Sequence, residues 1–446
     1  MYFSKQKFLV FGLSVSGVMA AKKLLSLGAK TYIFDEDASG RVDKAVKELL
    51  SLGAEAVTEN VLSVIKDCDV IVLSPGVRID HPLLVSAKKA GKRVIGELEF
   101  GSLFMRAPMV AVTGTNGKTT TCSMISAILD RAGVKNKLLG NYGVPLTLNG
   151  EELGENDVGV VEVSSFQLET VRSFTPHIAV ELNVTSDHLD RHYTRENYIF
   201  LKSRLLSGLR ESEYAVLNFD DETTRSFGAG LKAKVVWFSR KEEVDGAFEK
   251  DGAAYYMGEK ILDFSEMNLS GDHNRENALA AIAAAKLLEI ENEDIARALK
   301  EFKGVRHRLE TVAEINGVKF INDSKATNVD STIKALSAMT EPTVIILGGK
   351  GKNEDYKPLF EEMKNRGVKC AVLTGEECYK LLEAAKAIKF EPVILCEDFD
   401  NAVKISALIA ESGDNVLLSP AAASFDRFFN YEERGEEFAR IVGELR

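Results

Sequence analysis

The sequence predicts an α/β protein of three domains, each built around a mostly parallel sheet. Three observations predict it. At 446 residues the chain exceeds what one ordinary core can bury. Short apolar runs alternate with helical patterns at both ends of the chain, the rhythm of strand–helix–strand units. Between them, a glycine-rich turn joins a buried strand to a helix.

The first domain is expected over residues 1–107. "KFLVFGLSVSG" gives a strand, a Gly/Ser turn and a helix through Leu27, and "KTYIFDED" gives a second strand ending at Asp35. "DVIVLSPG" and "RVIGE" supply further strands. The run Gly12 to Gly17, followed by Asp35, resembles the dinucleotide fingerprint of Rossmann-like domains. Its middle glycine is replaced by Ser14, where a pyrophosphate would approach the backbone. The second domain, 108–304, opens with "MVAVTG" and continues through "VGVVEVSS", "HIAVELNV", a helix over 195–209, "YAVLN" and "KVVWFS". "AAYYMGEKILDFSEMNLSG" reads as antiparallel strands ahead of an alanine-rich helix from about Asn274. In the third domain, 305–446, "PTVIILGG", "KCAVLTG", "EPVILC" and "DNVLLSP" are buried strands with helices between them, again Rossmann-like.

Composition narrows the function. Apolar residues at 45% and charged residues at 28% describe a globular protein. A net charge of −11 argues against wrapping nucleic acid, though not against small anionic substrates held by a few placed cations and N–H groups. Five scattered cysteines form no zinc spacing and read as reduced thiols. The apolar run Phe8 to Leu13 reads as a core strand, not a signal peptide, and no stretch is long enough to span a membrane. The expected compartment is the cytoplasm. Glutamine occurs only at Gln6 and Gln167 beside abundant Lys and Glu, a bias of proteins from hot environments.

"VAVTGTNGKTT" places Gly114, Thr115, Asn116, Gly117, Lys118, Thr119 and Thr120 between strand and helix. The glycines let backbone N–H groups turn toward an anion, and the helix N-terminus adds partial positive charge. Lys118 would reach the β- and γ-phosphates of a nucleotide, and Thr119 would place its hydroxyl on Mg²⁺. The first glycine of the strict P-loop pattern is Val112 here. Glu162 ends the strand of "VVEVSSFQLE", and His188 follows another strand in "NVTSDHLDRHYT". With Thr119 they form an oxygen-rich set suited to Mg²⁺ or Mn²⁺ rather than zinc.

"TGTNGKTT", "EVSSFQLE" and "NVTSDHLDRH", in this order and spacing, resemble the central domain of the Mur ligase family, which forms amide bonds by ATP hydrolysis in peptidoglycan synthesis. The resemblance implies that Lys202 carries a CO₂-derived carbamate that positions Mg²⁺. It implies that Asn274 and Asn277 lie on the adenine side of ATP and that Arg308 reaches its phosphates. "INDSKATNVDST" resembles the branch of the family that adds D-glutamate. Asp323 and Lys325 would contact nucleotide or amino acid, and Thr327, Lys352, Ser424 and Phe425 the D-glutamate carboxylates. The same likeness places UDP of the precursor on Val15, Ser16, Asp35 and Gly76, and its sugar-peptide part on Asn141, Gln167 and His188.

Where the family has an acidic residue in the Gly-Gly-x-Gly-Lys run, this chain has Lys350; where it usually has Phe near the C-terminus, this chain has Tyr431. The implied reaction joins D-glutamate to UDP-N-acetylmuramoyl-L-alanine through an acyl phosphate. It would be performed by a monomer without nucleic-acid or membrane partners. A folylpolyglutamate synthetase would share the chemistry but lacks a UDP-type first domain. An NAD-dependent oxidoreductase would leave the phosphate loop without a use, and a non-catalytic nucleotide-binding regulator would leave the metal set without one.

Overall fold

The computed structural model describes residues 3–36, 42–185, 187–269, 271–351 and 354–445. Their strands form three sheets, one in each expected domain. In the first, β1 (Lys7–Phe11), β2 (Lys30–Phe34), β3 (Glu55–Ala56), β4 (Val70–Leu73) and β5 (Arg93–Gly96) lie in the order β3-β2-β1-β4-β5, all parallel. Apolar residues fill both faces, as a sheet with helices on each side requires.

The central sheet holds β6 (Met109–Thr113), β7 (Asn136–Gly140), β8 (Val158–Glu162), β9 (Ile178–Glu181), β10 (Tyr214–Asn218), β11 (Lys234–Ser239), β12 (Gly246–Lys250), β13 (Ala253–Tyr256) and β14 (Glu259–Asp263). Their order is β14-β13-β12-β11-β10-β9-β6-β8-β7. It is parallel from β7 to β12, and the last two pairings are antiparallel. The alanine-rich helix runs Asp272–Leu287, and its alanines allow close packing on the sheet. The helix expected over 195–209 stops at Ser203. Beyond it, the N–H groups of Arg204, Leu205, Leu206 and Ser207 bond carbonyls three residues back, tightening the chain into turns before Gly208.

Buried carboxylates tie the first two sheets into one compact unit. Glu97 accepts from the Thr147 N–H and hydroxyl at 2.8 and 2.7 Å, and Glu99 accepts from the N–H groups of Arg172, Ser173 and Phe174. That unit spans residues 1–268 and 272–302; a second comprises 269–271 and 303–446.

The third sheet contains β15 (Glu310–Ile315), β16 (Val318–Asn322), β17 (Thr343–Gly348), β18 (Cys370–Thr374), β19 (Val393–Leu395) and β20 (Asn415–Leu418), in the order β15-β16-β20-β17-β18-β19. All pairs are parallel except the β15–β16 hairpin, which the sequence reading did not contain. Its turn is Asn316-Gly317, both at positive φ (53° and 80°), the pair that suits the twist of a two-residue hairpin. Among the described residues, no helix is long and apolar enough to cross a membrane.

Candidate active site

The phosphate loop leaves β6 and enters the helix Lys118–Arg131. Two of its glycines are structurally required. Gly114 (φ +152°) and Gly117 (φ +89°) adopt backbone conformations that side chains resist. A Cβ on Gly117 would stand 2.3 Å from Asn277 Oδ1, so the alanine-rich helix presses its asparagine onto the loop. The Thr115 and Asn116 N–H groups are held by Asn183 at 2.8 and 2.9 Å. The Lys118 ammonium donates to the Gly114 and Thr115 carbonyls, both at 2.8 Å, and so lies over the loop it is expected to serve.

Glu162 ends β8 beside this loop. Its carboxylate accepts from the Thr119 hydroxyl at 2.6 Å and from the Asn141 amide at 2.7 Å. Thr119, Glu162 and Asn141 thus form one chain of contacts. Among the described residues, no cluster of three or more His, Cys, Asp or Glu could enclose a cation. The donors here are hard oxygens, few in number, and this suits Mg²⁺, which keeps water and takes phosphate oxygens to complete its shell. Among the described residues, the buried Thr120 hydroxyl and Asn277 amide nitrogen have no hydrogen-bond partner, leaving polar capacity at the loop for a ligand.

Lys202 is 1% exposed, and its Nζ donates to Thr113 Oγ1 at 3.2 Å at the end of β6. The amine also lies 5.1 Å from the Tyr198 ring centroid, and the Tyr198 hydroxyl meets Thr115 Oγ1 at 3.1 Å. Burial lowers its pKa to about 7, against the opposing pull of Glu181. Burial therefore favours the neutral amine, the form able to add CO₂. His188 sits at φ +53°, a strained position for a side-chain-bearing residue, with its ring 4.7 Å from that of Phe166 and Nε2 3.4 Å from Asp187.

Glu181 belongs to none of the motifs that point to the site. It is fully buried in β9, in register with Thr113 of β6, and neither carboxylate oxygen has a hydrogen-bond partner among the described residues. Desolvation pushes its pKa up to about 8. A charged residue inside the apolar run "HIAVELNV" was the available signal. Arg191 and Glu169 lie inside the motifs, where sequence order alone assigns them no role. The guanidinium donates to both Glu169 oxygens and to the Val77 and Gly76 carbonyls, with Phe166 beneath it at 4.1 Å. The pair fastens the turn carrying Gly76 to the central domain.

In the first domain, Asp35 accepts from the Leu13 N–H at 2.6 Å and shapes the turn that carries the exposed Val15 and the half-buried Ser16. Gln167 is buried, and its side-chain oxygen accepts from the Ser164 N–H at 2.9 Å in a capping box. Asn274 is buried near the start of its helix.

The remaining residues belong to the second unit. Asp323 is buried, accepts from Ser419 Oγ at 2.7 Å, and is pushed up to about 7 by burial, with Arg308 among the charges opposing the shift. Lys325 Nζ donates to the Tyr431 hydroxyl at 2.8 Å. Thr327 is half-buried, Ser424 buried and Phe425 exposed. Lys352 lies outside the described residues.

Three family models match the chain: a Mur ligase MurD-like N-terminal domain over residues 6–96, a Mur ligase middle domain over 112–285, and a Mur ligase glutamate ligase domain over 307–422. Curated relatives named UDP-N-acetylmuramoylalanine–D-glutamate ligase include one from Caldanaerobacter subterraneus subsp. tengcongensis, 41% identical with both chains wholly covered. Another, from a Thermoanaerobacter species, is 43% identical over 99% of each. The solved UDP-N-acetylmuramate-alanine ligase from Thermotoga maritima shares the fold at a TM-score of 0.63 and 18% identity, covering 99% of this chain and 100% of its own. A pseudomurein peptide ligase type C from Methanothermus fervidus does so at 0.61 and 18%, with the same coverage. With a glycine loop, a carboxylate-bound threonine and a buried lysine gathered around one central sheet, and with domain models matching in order along its length, this chain belongs to the Mur ligase family.

Proposed function

We propose that the chain is the ATP-dependent ligase that joins D-glutamate to UDP-N-acetylmuramoyl-L-alanine, releasing ADP and phosphate, in peptidoglycan precursor synthesis in the cytoplasm. Identity of 41–43% over essentially the whole length to relatives of that name carries the reading. In it, residues 1–107 hold the UDP-precursor, 108–304 hold ATP, and 305–446 take the amino acid.

The terminal carboxylate of the precursor attacks the γ-phosphorus of ATP, giving an acyl phosphate and ADP. The D-glutamate amine then attacks the acyl carbon, and phosphate leaves. Both first-step reactants are anions, so neutralising charge where the new bond forms is the main task. Lys118 exchanges its two carbonyl partners for phosphate oxygens, and the helix Lys118–Arg131 directs its positive end at them. Thr119, Glu162, His188 and a carbamate on Lys202 would hold Mg²⁺, or Mn²⁺ in its place, which neutralises phosphate charge and polarises the transferring group. Glu162 also fixes Asn141 for the precursor. Asn274 and Asn277 would face the adenine side, and Arg308, Asp323 and Lys325 would meet ATP from the third domain. Thr327, Lys352, Ser424 and Phe425 would take D-glutamate. Val15, Ser16, Asp35, Gly76, Gln167 and His188 would bind the precursor.

The test is phosphate release from ATP and UDP-N-acetylmuramoyl-L-alanine across a panel of D- and L-amino acids. Release dependent on D-glutamate is expected; release with another amino acid in preference would reject the substrate assignment.

A further inference from the structure

Arg434 is a buried cation without an ion pair among the described residues. It lies one turn into the C-terminal helix Tyr431–Glu444, 2% exposed. All its hydrogen bonds go to neutral oxygens. Nε donates to Ser324 Oγ at 2.9 Å and Nη2 to the Ser324 carbonyl at 2.8 Å, while Nη1 reaches the Ala422 carbonyl at 3.1 Å and that of Gly348 at 3.5 Å. Asp426 and Asp323 act on it only through space, and burial draws its pKa down to about 9.

The four accepting oxygens belong to three residues on three different turns. Ser324 follows β16, Gly348 ends β17, and Ala422 follows β20. The strands are adjacent and parallel in the order β16-β20-β17, so all three turns lie at the same edge, where open α/β sheets bind ligands. The same turns carry Thr327 and Ser424. Close packing reinforces the junction: a Cβ on Gly349 would meet Nη1 at 3.0 Å and the Ala423 carbonyl at 2.2 Å. Ser324 Oγ further donates to the Tyr431 carbonyl at 2.8 Å, tying the helix start to the same rim.

A buried, unpaired charge is a costly way to join carbonyls, since neutral or apolar groups of similar volume stabilise a fold as well or better. The charge makes sense where an anion arrives. We propose that Arg434 is a positioning residue for a dicarboxylic amino-acid substrate: it locks the three strand-end turns into one rim and places fixed positive charge behind it, so that discrimination of D-glutamate from its neutral amide depends on this residue. The proposal rests on reading the third domain as the amino-acid site.

The test compares kcat/KM for D-glutamate and D-glutamine in the full chain and in Arg434→Gln and Arg434→Lys, with KM for ATP and precursor measured alongside. Arg434→Gln is expected to lower kcat/KM for D-glutamate about 10- to 30-fold more than for D-glutamine, the size of one charge interaction across a partly screened site. Arg434→Lys restores most of the preference. KM for ATP and precursor stays within about twofold. Equal losses for both amino acids, or a KM for ATP that rises in step, would overturn the inference. If Arg434→Gln does not fold, Ser324→Ala removes one acceptor and keeps the charge. It is expected to raise KM for both amino acids with the preference intact, and an unchanged KM overturns the rim. A wild-type chain that shows no preference for D-glutamate defeats the functional reading itself; a preference that survives in Arg434→Gln defeats only this inference.

Discussion

Replacing Glu181 by Leu should stabilise the central domain, by an amount that grows with pH. In the unfolded chain this carboxyl ionises near 4.5; in the fold, burial without a hydrogen-bond partner raises that to about 8. Between those values the unfolded state has lost a proton that the folded state keeps, so the wild type loses stability as pH rises. At about 1.36 kcal/mol per unit, keeping the proton costs under about 1 kcal/mol at pH 5 and about 3 kcal/mol at pH 7. Lys202 acts in the same direction. Its folded pKa of about 7 already lies below the unfolded 10.5, and losing the Glu181 carboxylate that holds it up lowers it further. Relief of its burial cost therefore begins at lower pH in the variant and adds to the growth of the gain toward pH 7.

Leucine removes the titration and fills a comparable volume with apolar surface. The assay is urea unfolding followed through Trp237, the sole tryptophan, which packs against the core on the face that Glu181 shares. The expected gain of Glu181→Leu is about 2 kcal/mol larger at pH 7 than at pH 5. A gain that is flat with pH, or a variant less stable than wild type at pH 7, would refute the desolvation argument.

Further outcomes follow from the same geometry. Lys118→Ala removes the cation lying over the loop and should abolish ADP formation, while the unfolding midpoint of the central domain stays near wild type. Glu162→Gln keeps the Thr119 and Asn141 contacts partly satisfied but halves the anionic character of the site. It should raise the Mg²⁺ concentration for half-maximal activity about tenfold or more, read by titrating Mg²⁺ after chelator treatment. Glu97→Ala leaves the Thr147 N–H and hydroxyl unpaired in a buried joint and should cost about 2–4 kcal/mol in urea unfolding. Lys202→Arg should eliminate any ¹³C carbamate resonance seen when the wild-type chain is equilibrated with labelled bicarbonate.

Much of the molecule was legible before any coordinates. Strands buried on both faces announce themselves as continuous apolar runs, and the phosphate loop joins two conformational requirements, left-handed glycines and a helix start, that few other residue types meet. The Asn316-Gly317 hairpin is missing from the expected elements even though Asn-Gly between apolar alternations is a strong local signal. What sequence order hides is long-range charge burial. Arg434 stands in "YEERGEEF", which reads as a solvated charged stretch. Only the helical spacing of Tyr431, Arg434, Phe438, Ile441 and Val442 places it on the covered face. Glu169 and Arg191 are 22 positions apart, and nothing local pairs them. Lys202 was readable only through the family likeness; by itself it is one more helical lysine, and its burial comes from the sheet it packs on.

The central claim is that the precursor carboxylate is activated by phosphorylation. It is tested most directly by labelling that carboxylate with ¹⁸O and measuring the phosphate released on adding ATP and D-glutamate. One labelled oxygen should appear in each phosphate. Unlabelled phosphate, with ¹⁸O retained in the amide product or lost to water, would contradict the account.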